Sequence, residues 1–257
     1  MKFTRKKWES KFLKRDLYAL SIVEEQIHYR ATDQISRELS ELQRTAPAGL
    51  YELELDARYL FLASAIESAG FRLCDSKFQF ITLVERDHLP KYVYDLPEQC
   101  EIREFVWAEL DDVLALNDRH LIQDEQLVSK WKSGFFNRDV AEAWFSAWVR
   151  NSLNEGALCA VLIEAGRVRG FFIYSAKGVH REKPIYKGIL SCVDPVFRGH
   201  NLHLALQEFI FQQMIRDDSF YLDNTTQISN MSIVKNHFLS GRHPANIRLI
   251  FMWEKSN

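Results

Sequence analysis

The fold of this chain is decided by residues 189–203, whose sequence is ILSCVDPVFRGHNLH. An apolar run ends at Pro195, and a short loop with Arg198 and Gly199 follows it. Apolar residues then recur at helical spacing as far as Met214. This order predicts a strand, a tight loop and the start of a helix. Because such a loop presents unpaired backbone N–H groups at the positive end of a helix, the stretch predicts an anion site.

The composition indicates a folded globular protein with one large domain or two domains of ordinary size. Of the 257 residues, 47% are hydrophobic and 26% are charged, and the net charge is -2. The small net charge argues against a nucleic-acid partner. No apolar run is long enough to span a bilayer, and the basic start, MKFTRKK, leads into polar residues instead of an apolar signal core. We therefore expect a cytoplasmic protein without a membrane partner.

Four cysteines are spread along the chain without the spacing of a metal site. Because no two of them form a CxxC pair, they predict reduced, mostly buried thiols, and we expect no metal. We find no internal repeat and no low-complexity segment. The four are Cys74, Cys100, Cys159 and Cys192.

Residues 1–97 are predicted to form a small N-terminal α/β domain with its own core. Alternation of apolar and polar residues predicts its strands, and apolar residues three and four apart predict its helices. Two stretches that end in proline, between residues 87 and 97, indicate a linker. The predicted elements are a strand at residues 17–23, a helix after Asp33, a strand at 50–55, a helix at 59–69 and a strand at 71–84.

Residues 98–257 are predicted to form a second domain that contains the anion loop. Its predicted order is strand, helix, helix, three strands, helix, strand, helix and strand. Residues 164–167 are predicted to form a hairpin turn, and residues 176–183 a loop before a central strand from Ile185 to Val193. After the anion loop come a helix to about residue 216, a strand at 220–226, a helix at 230–239 and a strand at 246–253.

The anion loop resembles the acyl-CoA pyrophosphate loop of the GNAT N-acyltransferase superfamily, whose pattern is V-x-P-x-[YF]-R-G-x-G-x-[GA]. Asn201 stands where the family often has Gly, and His203 where it usually has Gly or Ala. Asn tolerates a positive φ, so Asn201 is expected to keep the backbone shape. His203 is bulkier beside the phosphates and could add a donor to them. The matching residues are Val193, Pro195, Phe197, Arg198 and Gly199.

This resemblance implies a GNAT fold, an α/β (α+β) architecture with a central mixed, mostly antiparallel sheet flanked by helices, here preceded by the smaller N-terminal domain. It also implies acetyl-CoA or another short acyl-CoA as co-substrate, bound where the central strand and the strand after the main helix separate. Cys192 is expected to pack there without forming a covalent acyl intermediate. The implied cofactor-binding residues are Cys192, Val193, Arg198, Gly199, His200, Asn201, Leu202, His203 and Asn230.

A narrower resemblance links the chain to the dTDP-fucosamine acetyltransferase family. It depends on WESKFL at residues 8–13, IESAGF at 66–71 and TQISNMSIVKNHFLSG at 226–241. It implies direct transfer of an acetyl or short hydroxyacyl group to the amine of a dTDP-linked 3- or 4-amino-dideoxyhexose, for surface polysaccharide synthesis, with a homodimer as one possible assembly. Two alternatives remain open: a GNAT enzyme for a polyamine or peptide amine, and a non-catalytic CoA-binding module.

His237 is the predicted catalytic residue. Many GNAT enzymes have at this position a Tyr that protonates the departing thiolate, and His237 follows Asn230 by seven residues on the same helix face. A histidine can donate a proton near neutral pH. The alternative is a solvent-facing histidine without a catalytic role. Asn230 is expected either to cap the helix or to bond the pantetheine arm.

The predicted substrate-binding residues are Trp8, Trp131, Arg181 and Tyr186. Flat rings stack on bases and sugars, so Trp131, with Phe135 and Phe136, is expected to form a wall of the acceptor site unless it packs in the core. Arg181, with His180 and Lys183 in the predicted loop, could meet a diphosphate. The alternative is that this loop is exposed to solvent and binds no ligand. Glu182, Tyr186 and Asp194 are possible general bases, and spacing selects none of them.

Overall fold

The computed structural model describes residues 2–13, 15–22, 31–88, 92–119, 129–214 and 219–256. Its strands are β1 (Lys2–Arg5), β2 (Leu17–Ser21), β3 (Gly49–Asp56), β4 (Arg72–Glu85), β5 (Cys100–Glu104), β6 (Leu158–Glu164), β7 (Arg167–His180), β8 (Lys183–Val193), β9 (Ser219–Gln227) and β10 (Asn246–Lys255). Its helices are α1 (Lys7–Ser10), α2 (Ala31–Thr45), α3 (Ala63–Ser68), α4 (Leu110–Asn117), α5 (Arg138–Asn154), α6 (Leu202–Met214) and α7 (Met231–Leu239).

The described strands form a single sheet of ten, in the order β1-β2-β3-β10-β4-β9-β8-β7-β6-β5. Of the described strand pairs, only β2–β3 and β8–β9 are parallel. The predicted mixed, mostly antiparallel sheet with flanking helices is therefore confirmed, as is the predicted order of elements from β5 to β10.

A strand-helix-strand-helix-strand arrangement occurs twice in this sheet, although the sequence contains no recognisable repeat. The first copy runs from β2 to β4 and the second from β8 to β10. Each copy gives its last strand to the other, so that β10 lies between β3 and β4, and β4 pairs with β9. When each strand of one copy is exchanged for its counterpart in the other copy, the order β2-β3-β10-β4-β9-β8 is unchanged apart from its direction. The division at residue 97 stays a prediction, and the sheet is continuous across it.

Helices cover both faces of the sheet at β7. The consecutive residues Phe171 and Phe172 point to opposite faces of β7, as strand geometry requires. Phe172 packs with α6, whereas Phe171 packs with α4 and α5. All four cysteines are in described segments and are buried, as predicted. Among the helices described here, none has the length and apolar character needed to cross a bilayer.

The prediction of a loop at residues 176–183 is wrong. Strands β7 and β8 continue as a two-stranded ribbon to a tight turn at Arg181 and Glu182, which have φ values of 47° and 65°. Irregular pairing near Tyr174 and Gly178 hides the alternation expected of a strand. The ribbon carries Arg181 to an exposed tip.

Smaller differences concern element ends. Residues 57–62 form a 3-10 helix capped by the Asp56 carboxylate, and the α-helix begins only at Ala63. The basic N-terminus contains the short β1 and α1, which lack a clear period because they are only four residues long. The first predicted strand ends at Ser21, and its last residue, Val23, lies outside the described residues.

Candidate functional site

The parallel pair β8–β9 separates soon after it forms. Ile185, Tyr186 and Lys187 pair with residues 221–223, and no pairing follows between the rest of the two strands. The gap begins at Gly188. We call this gap the β8/β9 opening; its position agrees with the one that the resemblance implied.

The loop at residues 194–201 leads from β8 into α6. Gly199 and Asn201 have φ values of 93° and 56°, so the prediction that Asn201 keeps a glycine-like backbone is confirmed. The backbone N–H groups of residues 199–203 have no acceptor among the described residues. Asn201 Nδ2 donates to Val93 O at 3.0 Å, and Asp95 N donates to His200 O at 3.1 Å. The braced loop thus presents free donors at a helix N-terminus, which suits a pyrophosphate.

His203 does not face this loop. Its ring is buried against Phe172, with Nε2 3.1 Å from Ser191 Oγ, and its Nδ1 has no partner in the described structure. Burial, and then the charge of Arg242, lower its pKa to about 4. The predicted donation from the His203 side chain to phosphates therefore has no support in the geometry; only its backbone N–H lies at the anion loop.

His237 is also buried, with 5% of its surface exposed, so the solvent-facing alternative is wrong. It stacks on Phe80 with ring centroids 4.2 Å apart, and its Nδ1 lies 3.1 Å from Arg242 Nη1. Since an arginine only donates, Nδ1 is the acceptor. Burial, then Arg242 and His203, lower the pKa of His237 to about 3, so the ring is neutral near pH 7. Its catalytic role stays a prediction.

Arg242 organises a buried network behind the opening. Its Nη2 donates to the Tyr92 hydroxyl at 3.2 Å, and the side-chain oxygen of Gln207 accepts from Nη1 at 2.8 Å. Tyr174 lies between Gln207 and Asn224, and its hydroxyl donates to Asn224 Oδ1 at 3.0 Å. Asn224 Nδ2 has no partner among the described residues. The network thus runs from Arg242 to Asn224, the first residue of β9 in the β8/β9 opening.

The other predicted cofactor residues have ordinary local roles. Asn230 caps α7, with Oδ1 accepting from Ile233 N at 3.4 Å, so the capping alternative is the one observed. Cys192 is buried beneath α4, and Val193 ends β8 beside the opening. Arg198 Nε donates to Val193 O at 3.4 Å.

A cleft of about 1020 Å³ lies on the opposite face of the sheet from α6. Its floor is formed by β4, β8 and β9, and its walls by α1, α5 and the turn at residues 130–132. Seven of the described lining residues are basic and five are acidic, so the cleft is not strongly acidic. Its aromatic wall consists of Trp8, Trp131, Phe136, Trp144, Phe145 and Trp148.

Two of the four predicted substrate residues line this cleft. Trp131 is buried against Trp144, with ring centroids 4.4 Å apart, and Trp8 packs on Trp144 at 5.3 Å. Tyr186 lies on the α6 face against Phe220 at 5.5 Å, and Arg181 is at the ribbon tip. Neither of these two borders the cleft.

The three possible bases are elsewhere as well. Glu182 is in the ribbon turn, Tyr186 is on the α6 face, and Asp194 is buried where its Oδ1 accepts from Val196 N at 3.2 Å. None of the three borders the described cleft.

Asp223 is an acidic cleft residue that the sequence patterns did not single out. It is 1% exposed, lines the cleft and pairs in register with Lys187, the last pair before the opening. Gln79 Nε2 donates to its Oδ1 at 2.8 Å, and Lys177 Nζ donates to its Oδ2. The available signal was a single acid directly after the apolar residues 220–222 of a predicted strand, because a buried charge requires a partner or a function.

Asp75 lies toward the aromatic end of the same floor. It is 3% exposed, its Oδ2 accepts from Lys130 N at 3.3 Å, and its Oδ1 has no partner in the described structure. Burial raises its pKa. Lys130 in turn donates to Glu52 at 2.6 Å, and Lys6 donates to the same carboxylate at 2.7 Å. These two cations hold the pKa of Glu52 at about 2 despite burial.

Comparisons with known proteins identify the fold. No family model matches the sequence, and no curated protein matches it. A tandem GNAT protein from the clavulanic acid biosynthesis pathway is 11% identical with a TM-score of 0.55, over 94% of this chain and 76% of that one. A GCN5-related N-acetyltransferase from Sphaerobacter thermophilus is 14% identical with a TM-score of 0.55, over 93% and 72%.

A conserved protein of unknown function from Staphylococcus epidermidis ATCC 12228 is 11% identical with a TM-score of 0.55, over 96% of this chain and 89% of that one. The match to a tandem GNAT protein accords with the arrangement of strands and helices that occurs twice in this sheet. At these identities the similarity concerns architecture. The chain has the GNAT fold of the N-acetyltransferases.

Proposed function

We propose that this protein is an acyl-CoA-dependent N-acyltransferase. One observation carries the proposal: the β8/β9 opening has free loop amides at its α6 end and a buried carboxylate, Asp223, on its cleft side. An acyl donor held on one side and an amine held on the other would meet at the opening. Holding two reactants in this way removes much of the entropic cost of their reaction.

The chain offers a site for each part of the donor. The backbone N–H groups of residues 199–203 would hold the pyrophosphate, and the end of β8 at Cys192 and Val193, beyond its pairing with β9, would face the pantetheine amides. When bound, acyl-CoA supplies the thioester carbon that is attacked. Both roles follow from backbone position, so they do not depend on the departures from the family pattern at Asn201 and His203.

Asp223 is suited to bind the acceptor amine. Its carboxylate would hold the ammonium group and take one proton from it, which frees the nitrogen lone pair to attack the thioester carbon. The nitrogen gives up its second proton to water as the new C–N bond forms. The C–S bond then breaks, and the sulfur leaves as a thiolate that takes up a proton. Lys177 and Gln79 fix the orientation of the carboxylate. The predicted proton donor, His237, is neutral in this structure, so a water molecule is the simpler source.

The acceptor that we propose is a nucleotide-linked amino sugar, with a dTDP-linked 3- or 4-amino-dideoxyhexose as the specific expectation. The cleft is large, has an aromatic wall for a flat ring and contains Lys132 and Lys187 for phosphates. Its mixture of charges does not favour a polyamine. Action in the cytoplasm in surface polysaccharide synthesis, and a homodimer, remain parts of this proposal.

One observation favours a non-catalytic CoA-binding module as the second candidate. His203, His237 and Arg242 are all buried, and both histidines have pKa values well below 6.5, so neither carries a transferable proton of ordinary histidine acidity near pH 7. Such a module would bind CoA at the loop amides without transferring an acyl group.

A thiol-release assay with acetyl-CoA and hydroxybutyryl-CoA, each against dTDP-3-amino and dTDP-4-amino sugars, distinguishes the candidates. We expect thiol only when an amino sugar is present, and Asp223→Asn should lower kcat/KM at least 100-fold while the Kd for CoA changes less than threefold. Asp111→Asn, at an exposed position of α4, is the control with the same charge change. CoA binding without turnover on any amine would reject the enzyme and support the non-catalytic CoA-binding module. Absence of CoA binding would exclude both candidates.

A further inference from the structure

Two buried polar atoms at one end of the cleft have no partner among the described residues. They are Asp75 Oδ1, an acceptor, and the indole Nε1 of Trp144, a donor. Both residues line the cleft. Because buried polar atoms in folded proteins are nearly always hydrogen bonded, an unpaired acceptor and an unpaired donor in one cleft point to a ligand that supplies the complementary groups.

A β-bulge lies directly before Asp75 on β4, whose residues Asp75, Lys77 and Gln79 all line the cleft. Ile250 pairs with Asp75 and Phe251 pairs with Leu73, so Cys74 is an extra residue on β4. Cys74 and Asp75 are consequently both buried, although successive residues of a regular strand alternate between faces. Bulges are a common device for redirecting a side chain at a site.

The turn at residues 130–132 holds both the Asp75 carboxylate and the aromatic wall of the cleft. Lys130 N donates to Asp75 Oδ2 at 3.3 Å, and the Lys130 ammonium donates to buried Glu52 at 2.6 Å. The next residue, Trp131, packs on Trp144 at 4.4 Å between ring centroids. The free carboxylate oxygen and the ring faces are therefore fixed relative to each other.

We infer that this end of the cleft binds a nucleobase that presents a ring N–H beside a carbonyl group, as uracil, thymine and guanine do. The inference rests on the proposed function and specifies the nucleotide part of its acceptor. The ring stacks on the aromatic wall, its N–H donates to Asp75 Oδ1, and its carbonyl accepts from Trp144 Nε1. Cytosine presents a ring nitrogen acceptor instead, which the Asp75 carboxylate repels.

Nucleotide binding to the full chain tests the inference without an acyl donor. We expect isothermal titration calorimetry to give a Kd for UMP at least tenfold below the values for CMP and 3-methyl-UMP. In Asp75→Asn the amide oxygen keeps the bond from Lys130 N, and an NH₂ donor replaces Oδ1. The ratio of the CMP and UMP dissociation constants should therefore fall at least tenfold.

The control variant is Asp139→Asn, the same charge change at an exposed position of α5, which should keep the wild-type ratio. Equal affinities for UMP, CMP and 3-methyl-UMP in the wild type, no nucleotide binding, or an unchanged ratio in folded Asp75→Asn would overturn the inference. If that variant does not fold, the wild-type comparison decides. Base discrimination without acyl transfer would support the inference and refute only the proposed enzyme, whereas acyl transfer without discrimination would refute only the inference.

Discussion

Gly188 lies at the first position of the β8/β9 opening, where no side chain fits. A Cβ there would be 2.2 Å from Asn224 Oδ1. Asn224 in turn accepts from the Tyr174 hydroxyl, which belongs to the buried network that ends at Arg242. At the scale of single residues, the opening is therefore shaped by the absence of a side chain at Gly188 and by the side-chain amide of Asn224.

Gly188→Ala should lower the free energy of unfolding by about 1–3 kcal/mol, because the new methyl group collides with the buried side-chain amide of Asn224, and should weaken acetyl-CoA binding. Urea unfolding and calorimetry measure the two effects. Gly170→Ala is the comparison variant: its Cβ would lie 3.2 Å from Cys192 O, a tight contact but a much longer one than at Gly188, so a smaller loss is expected. Equal losses in the two variants would contradict the assignment of the opening to Gly188.

The two buried histidines predict a pH-dependent stability. Their pKa values, about 4 for His203 and about 3 for His237, lie below the ordinary 6.5. The unfolded chain therefore binds more protons below pH 6.5, and their contribution to stability, complete above that pH, is lost as the pH falls toward 3. Each histidine adds a slope of at most about 1.4 kcal/mol per pH unit.

Urea titrations between pH 7.5 and 4.5 check this slope. His237→Asn, whose Oδ1 can replace the acceptor for Arg242, should reduce the slope by about half, whereas His243→Asn, at an exposed position, should leave it unchanged. A slope that is the same in wild type and His237→Asn would show that His237 is not buried in the neutral form.

At the scale of elements, the ribbon of β7 and β8 explains why Arg181 does not line the cleft. Arg181 and Glu182 both have positive φ values, which favour Asn and Gly in a two-residue hairpin turn. We expect replacing this pair by Asn-Gly to stabilise the protein by about 0.5–1 kcal/mol and to leave the KM for the acceptor unchanged. Thermal unfolding and steady-state kinetics measure both. A rise in KM of tenfold or more would place Arg181 at the substrate.

At the scale of the whole molecule, the exchange of β4 and β10 joins the two halves of the chain. Strand β10 has both of its neighbours, β3 and β4, in residues 1–97, and β9 has β4 as one of its two neighbours. A fragment of residues 98–257 would leave β10 without any strand to pair with. The sequence-based division into two domains is thus expected to fail as a division into folding units.

We expect the 98–257 fragment to be largely unfolded by circular dichroism and amide exchange, and co-expression with a 1–97 fragment to restore the native spectrum. The intact chain should unfold in a single transition. A cooperative transition of the isolated 98–257 fragment would show that the predicted domains are independent after all.

Local features were predictable to the extent that they depend on neighbouring residues. The anion loop, the glycine-like backbone of Asn201 and the order of elements from β5 onward follow from turn chemistry and periodicity. The ribbon at residues 176–183 was missed because irregular pairing interrupts its alternation. Asp223 and Asp75 were missed because a single acid in a strand shows its surroundings only when the sheet is assembled.

The sequence by itself determined the strand-loop-helix stretch at residues 189–203 and the order of the elements around it, since hydrophobic period and backbone preference act over a few residues. The mixed sheet was an implication of the resemblance to GNAT enzymes. Only the tertiary structure decided that β10 lies between β3 and β4 while β4 pairs with β9. It also decided that His237 is buried and neutral, and that Asp75 and Asp223 line one cleft. The physical reason is that strand pairing and burial depend on residues that are far apart in the chain.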